Sequence, residues 1–242
     1  MKTALIVTIF GHLLAAYAIL GAPWLGRWWY EKARKKVAAG LPNAKVDLYR
    51  QLVVEQIVGT SLVVAIWNLG AIPASALGLV APRHWGWNLA ATLIIVAALF
   101  RSALKLRKKA DKIRKKLEEL VGALMPDTQR ERAWFGGVSV GAGISEELVF
   151  RGFLLYYFGL YVPQMNTLEK VLVISLFFGL AHLYQGWQGM LGTGIVGLAM
   201  GGFYVATGSL FMPMMVHAAI DWRMLLMLPP QAPPELAQEV TV

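Results

Sequence analysis

The sequence predicts an all-α fold, a polytopic transmembrane helical bundle with about seven spans. Of the 242 residues, 57% are hydrophobic and 15% are charged, and the mean hydropathy is +0.54. A soluble chain of this length cannot bury so much apolar surface in a single core. The polar residues are also grouped between long apolar runs, which is typical of membrane-spanning helices.

The apolar runs predict spans at residues 3–23, 50–70, 86–106, 134–160, 170–186, 188–206 and 209–228. Tryptophan and tyrosine residues mark several of their edges, as expected at the headgroup layer. The first run resembles a signal peptide at Ala16-Tyr17-Ala18, but we favour a span because only Lys2 precedes it. We divide the chain into a three-span region (1–133), a four-span core (134–228) and a disordered proline-rich tail (229–242).

Basic residues are concentrated in two segments, 24–50 and 101–116, whereas the loop between the second and third spans holds only Arg83. The positive-inside rule therefore puts both segments in the cytoplasm and residues 71–85 outside. We expect residues 101–120 to continue the third helix into the cytosol as a solvated, headgroup-binding helix. The net charge of +9 thus predicts membrane lipids as partners and argues against nucleic acid. The absence of cysteine excludes thiol chemistry.

Ionisable residues inside spans are costly and are functional candidates by default. Six of those in the core spans are singled out as candidates: Glu146, Glu147, Arg151, His182, His217 and Asp221. Glu146 lies twelve residues beyond Trp134, about 18 Å along a helix, within a hydrocarbon layer of about 30 Å. We expect Glu146, His182 and His217 to meet in one cavity between three helices. Fastening the helices together is the alternative role for these charges.

The spacing predicts pairs within single helices. His217 and Asp221 are four residues apart, as are Glu147 and Arg151, so each pair shares a helix face. Glu146 and Glu147 point about 100° apart and are not expected to face the same point. We assign Glu147 to Arg151 and leave Glu146 facing the cavity, with the reverse assignment open.

Two polar residues of the first spans receive structural interpretations. His12 is expected to be a helix-packing residue. Glu55 is expected to be interfacial, near the cytoplasmic end of the second span, where it can reach water.

A carboxylate beside two imidazoles suits general-base activation of water and equally suits metal binding. The sequence has no HExxH motif, no GxSxG nucleophile elbow and no pair of intramembrane aspartates. These absences weaken the serine-hydrolase and paired-aspartate interpretations, and they weaken a zinc-hydrolase interpretation without excluding it.

Three motifs carry a resemblance to a known family. Glu146–Arg151 matches EExxxR, Phe178–His182 matches FxxxH, and His217–Asp221 matches the closing HxxxN/D. Over about 134–222 the chain resembles the CPBP (CAAX protease and bacteriocin-processing, ABI) family of glutamate intramembrane proteases, which includes the Ras-converting CAAX endopeptidases. This resemblance implies that the four-span core is catalytic.

The resemblance also implies roles. Glu146, aided by His182, activates a water; His217 with Asp221 faces the tetrahedral oxyanion; Arg151 with Glu147 supports them. The family usually has Asn where this chain has Asp221, and an ionised carboxylate cannot donate a hydrogen bond. Asp221 is therefore expected to hold His217 protonated so that the imidazolium donates. No cofactor or metal is implied.

We expect an intramembrane endopeptidase that acts on a peptide or protein substrate at the membrane, prenylated CAAX-type substrates included, in a prokaryotic inner membrane. One alternative is a metal-dependent membrane hydrolase that uses Glu146, His182 and His217 as ligands. Another is a non-catalytic peptide-binding or immunity protein. A proton-coupled transporter is disfavoured because no internal repeat is visible.

Overall fold

The computed structural model describes residues 2–230, which are helical and contain no strand, so the all-α prediction is confirmed. The helices are α1 (Lys2–Ala16), α2 (Ala22–Ala38), α3 (Ala44–Leu69), α4 (Trp85–Leu106), α5 (Ala110–Val121), α6 (Gln129–Glu147), α7 (Leu155–Tyr161), α8 (Thr167–Ala181), α9 (Gly186–Thr207) and α10 (Phe211–Met227). Two π-helices, Tyr17–Gly21 and Leu148–Leu154, join α1 to α2 and α6 to α7. Residues 231–242 of the predicted disordered tail lie outside the described residues.

Four helical stretches are long and apolar enough to cross a membrane by length and composition: Leu5–Ala38, Ala44–Leu69, Trp85–Leu124 and Leu183–Thr207. Large apolar side chains such as Leu20, Ile94 and Trp187 lie exposed on these stretches, as lipid-facing residues do. The chain is an integral membrane protein. The count of seven spans stays a prediction, because α8 and α10 have 15 and 17 residues.

The first helical stretch is longer than predicted. The chain remains helical from 2 to 38, so most of the expected loop 24–50 is helix. Pro23 does not interrupt it, because the π-helix Tyr17–Gly21 directly before it changes the backbone hydrogen-bond pattern where the proline N–H is missing. The turn comes at Gly40 and Asn43, both with positive φ.

The basic helix after α4 also differs from the prediction. The helix changes to a 3-10 turn at 107–109, and α5 packs an apolar face that includes Leu117 and Val121 against Leu228. Arg114, expected to be solvated, is buried and donates to Asp127 and to the carbonyl of Pro229. Because these acceptors satisfy its guanidinium, Arg114 anchors α5 to the end of the bundle.

The core of the molecule surrounds the α6–π–α7 stretch. Helices α4 and α10 run parallel, since Thr92 contacts Met212 and Phe100 contacts Trp222. Helix α6 runs antiparallel to α10 and packs closely on it, with Gly143 facing the backbone of Ala218. The largest cluster of buried apolar side chains includes residues from the π-helix Leu148–Leu154 and from α8. It packs these two elements together around the buried Arg151.

Candidate active site

The acidic pair lies where α6 changes into a π-helix. Glu147 is the last residue of α6, and Arg151 lies inside the π-helix Leu148–Leu154. Such π-turns interrupt the regular hydrogen-bond ladder and are frequent at functional sites. The change of helix type therefore coincides with the strongest motif of the sequence.

A buried ionic network surrounds Glu147. Its Oε1 accepts hydrogen bonds from Arg151 Nη1 at 2.9 Å and from His217 Nδ1 at 2.7 Å. Arg151 Nη2 donates to the carbonyl of Gly197 at 3.0 Å, and its guanidinium lies 4.3 Å from the ring centre of Phe178. The pair predicted from the four-residue spacing therefore forms, and it also binds an imidazole from another helix.

Glu146 lies between the two histidines. Its Oε2 is 3.9 Å from His182 Nε2 and 3.9 Å from His217 Nε2, and this buried oxygen has no hydrogen-bond partner among the described residues. Both distances exceed that of a direct hydrogen bond. At separations above about 3.5 Å, polar groups commonly interact through a water molecule rather than directly.

His182 has a different position from the one expected. It is the first residue after α8, in the turn before α9, rather than inside a span that reaches residue 186. Its Nδ1 donates to the carbonyl of Phe178 at 2.8 Å. This bond assigns the proton to Nδ1 in the neutral ring and leaves the Nε2 lone pair facing Glu146.

The carboxylate that contacts His217 directly is not the predicted one. Glu147, on Nδ1, orients the ring, whereas Asp221 Oδ2 lies 3.8 Å from Nε2, beyond hydrogen-bond distance. Glu146 and Glu147 were not expected to face the same point, and the structure agrees, since Glu146 borders the cavities whereas Glu147 lies in the buried ionic network. They reach opposite edges of one imidazole, because His217 comes from the neighbouring helix α10 and lies between them.

Two cavities meet at this cluster. One, of about 170 Å³, is mostly apolar and lies between α2, α3 and the π-helix Leu148–Leu154. The other, of about 330 Å³, contains His217 and Asp221 and is bounded at one end by α5. Both border Glu146 and His182. An extended ligand that passes from one cavity to the other would cross the Glu146 carboxylate.

Glu55 was expected at the interface, and Gln56 and Tyr184 were assigned no role, yet all three line these walls. Gln56 Nε2 donates to the carbonyl of Val138 at 3.1 Å and borders both cavities. Two adjacent polar residues inside the apolar second span were the available signal for Glu55 and Gln56. Tyr184 had none beyond an aromatic residue near a span edge.

Within residues 2–230, no group of three or more histidine, aspartate or glutamate side chains has an arrangement that would hold a metal ion. Glu146, His182 and His217 are thus close together without forming a recognisable ligand set. Sensitivity of the activity to a chelator would distinguish the metal-dependent alternative.

Comparison with known families gives one match. Residues 128–223 match the family described as Type II CAAX prenyl endopeptidase Rce1-like. The match covers 96 of the 242 residues, and over these residues the chain is similar to CAAX endopeptidases. The match begins at Thr128, which caps α6 through a capping box with Glu131, and it ends just after Asp221. It contains all three motifs and leaves α1–α5 outside. Neither a curated protein nor a solved structure matches the chain.

Proposed function

We propose that the chain hydrolyses a peptide bond in a membrane-associated substrate and that Glu146 is the base that activates water. The observation that carries the proposal is the buried Glu146 Oε2, without a partner and equidistant from two imidazole Nε2 atoms. A carboxylate with this surrounding can bind and deprotonate one water oxygen.

The steps follow from the donors and acceptors present. Water bound by Glu146 and by the Nε2 lone pair of His182 attacks the substrate carbonyl carbon, and Glu146 takes its proton. The new C–O bond creates a tetrahedral oxyanion, to which protonated His217 donates through Nε2. The C–N bond then breaks, and Glu146 passes its proton to the leaving amine.

Glu147, Arg151 and Asp221 have positioning roles in this proposal. Glu147 accepts from His217 Nδ1 and so keeps Nε2 directed toward the cavity. Arg151 balances the charge of Glu147. Asp221 carries no donor when ionised, so it acts by favouring the cationic form of His217 rather than by contacting the oxyanion.

The substrate is proposed to enter with an apolar portion in the 170 Å³ cavity and the scissile bond beside Glu146. Prenylated CAAX-type proteins are one substrate class that fits, in agreement with the description of the matching family. Apolar peptides without a prenyl group would also fit this cavity.

The test is the substitution Glu146→Gln, which preserves size and removes the base. Peptide profiling of cells with and without the active protein supplies a substrate, and its turnover is then measured with purified protein. We expect turnover to fall by about 100-fold or more, while the detergent-solubilised protein keeps its thermal stability. Glu119→Gln, on the exposed face of α5, is the matched control and should change neither quantity.

Near-normal turnover by a folded Glu146→Gln protein would contradict the proposal. Strong inhibition of the wild type by a chelator, reversed by added metal, would favour the metal-dependent hydrolase. Binding of the profiled peptide by the wild type with no cleavage would favour the non-catalytic peptide-binding protein.

A further inference from the structure

Glu55 occupies an unexpected environment. The sequence suggested an interfacial residue, but Glu55 lies about 17 Å along α3 from Ala44 and lines the apolar cavity that also borders Glu146 and His182. Its side chain therefore faces a cavity inside the bundle, which the expectation of an interfacial residue did not include. The reason is that α3 packs beside α6 and directs this face into the molecule.

Glu55 has one direct polar contact among the described side chains. The hydroxyl of Tyr17, in the π-helix Tyr17–Gly21, donates to Glu55 Oε1. No lysine, arginine or histidine of residues 5–230 forms an ion pair with Glu55. Tyr17 thus orients the carboxylate and leaves its charge without a cationic partner from the described chain.

The rest of this cavity wall is mainly apolar, with contributions from Leu14, Ala18, Leu52, Gly59, Val149 and Phe150. An ionised carboxylate in such surroundings is costly unless a cation or several donors approach it. A ligand that brings both an apolar body and a cationic group would satisfy the wall and the carboxylate together.

We propose that Glu55, oriented by Tyr17, is a specificity-determining residue that binds a lysine or arginine side chain of the substrate. The adjacent apolar residues of that substrate occupy the rest of the cavity. Glu146 borders the same space, so the basic residue lies within a few residues of the scissile bond. The identity of the ligand as the substrate rests on the proposed function.

The test measures binding rather than cleavage, in the Glu146→Gln background. The probes are fluorescent synthetic nonapeptides of leucine and alanine that carry a single lysine, moved position by position, with glutamine or glutamate replacements as matched peptides. We expect the best lysine peptide to bind about 10-fold more tightly than its glutamine counterpart, a difference typical of a gained charge pair.

The added substitution Glu55→Gln should abolish the preference for lysine, and Tyr17→Phe should reduce it. Asp47→Asn, exposed on the same helix and outside the cavity, is the matched control and should leave the preference unchanged. Glu55→Lys should shift the preference toward the glutamate peptide, which a purely structural role of Glu55 would not produce.

A lysine preference that survives Glu55→Gln would overturn this inference, as would equal binding of lysine and glutamine peptides at every position. Failure of the proposed function is distinguishable from either result. It would appear as a lysine preference that depends on Glu55 in a protein whose Glu146-containing form cleaves no peptide.

Discussion

At the scale of single residues, the imidazole of His217 connects the two glutamates of the motif. Its Nδ1 contacts Glu147, and its Nε2 faces Glu146 and Asp221. Because Glu147 is fully buried and accepts hydrogen bonds from both His217 and Arg151, these two donors fix the position of its carboxylate. The two adjacent glutamates therefore have different environments, one inside an ionic network and one on a cavity wall.

Glu147→Gln should reduce stability as well as activity. The substitution leaves the buried guanidinium of Arg151 without its anion, which costs about 3–5 kcal/mol in comparable buried pairs. The measurement is the thermal unfolding midpoint in detergent, compared with that of Glu146→Gln, which should remain close to wild type.

The double substitution Glu147→Gln with Arg151→Met provides the control, because it removes both charges. Stability should recover in part, whereas hydrolysis should stay low because His217 still lacks its carboxylate acceptor. An unfolding midpoint unchanged by Glu147→Gln alone would show that the pair is not buried as described.

At the scale of helices, close contacts at glycine set the distances within the site. A Cβ on Gly143 of α6 would lie 2.8 Å from the backbone nitrogen of Ala218 on α10, one residue after His217. A Cβ on Gly179 of α8 would lie 2.7 Å from the carbonyl of Met190 on α9. Small residues at such crossings let membrane helices approach closely. The first of these contacts brings His217 to Glu147.

Gly143→Ala should therefore disturb the site without touching any ionisable residue. The added methyl group meets backbone atoms and forces α10 away, at a cost of about 1–3 kcal/mol. We expect a lower unfolding midpoint and a reduced turnover of the profiled peptide. Gly137→Ala lies on the same helix with open space around its Cβ and should leave both unchanged. Equal behaviour of the two variants would contradict the described α6–α10 contact.

At the scale of the whole molecule, α5 and its anchoring contacts lie at one end of the bundle. Asp127 there accepts from Arg114 and also pairs with Lys45, which ties α5 to the start of α3. The ionic site lies between this end and the loop that holds Arg83, whose backbone N–H donates to the carbonyl of Thr207. The positive-inside rule predicts that the α5 end of the bundle faces the cytoplasm, and this orientation stays a prediction.

Single-cysteine labelling tests the orientation, since the native chain has no cysteine. Ser75→Cys and Lys112→Cys lie at exposed positions in the two regions predicted to face opposite sides. A membrane-impermeant maleimide should label Ser75→Cys in intact cells and Lys112→Cys only after permeabilisation. Labelling of Lys112→Cys in intact cells would reverse the topology.

Composition and motif spacing were sufficient for the class of protein, the resemblance over residues 128–223 and the Glu147–Arg151 pair. Long apolar segments identify membrane spans because the lipid itself selects apolar side chains. Residues four positions apart are neighbours on any α-helix, independently of how the helices pack. The helix ends were less predictable. Residues 24–38 contain enough polar residues to resemble a loop, yet they continue the first helix.

The sequence by itself determined that ionisable residues, Glu146 and His217 among them, lie within apolar segments, and which of these residues share a helix. The tertiary structure alone decided that Glu147 orients His217, that Glu146 lies 3.9 Å from each of two imidazoles, and that Glu55 lines a cavity that Glu146 also borders. These contacts join different helices. Their distances depend on helix crossing, on the close approach at Gly143 and on the π-turn after Glu147, and none of these follows from spacing along one helix.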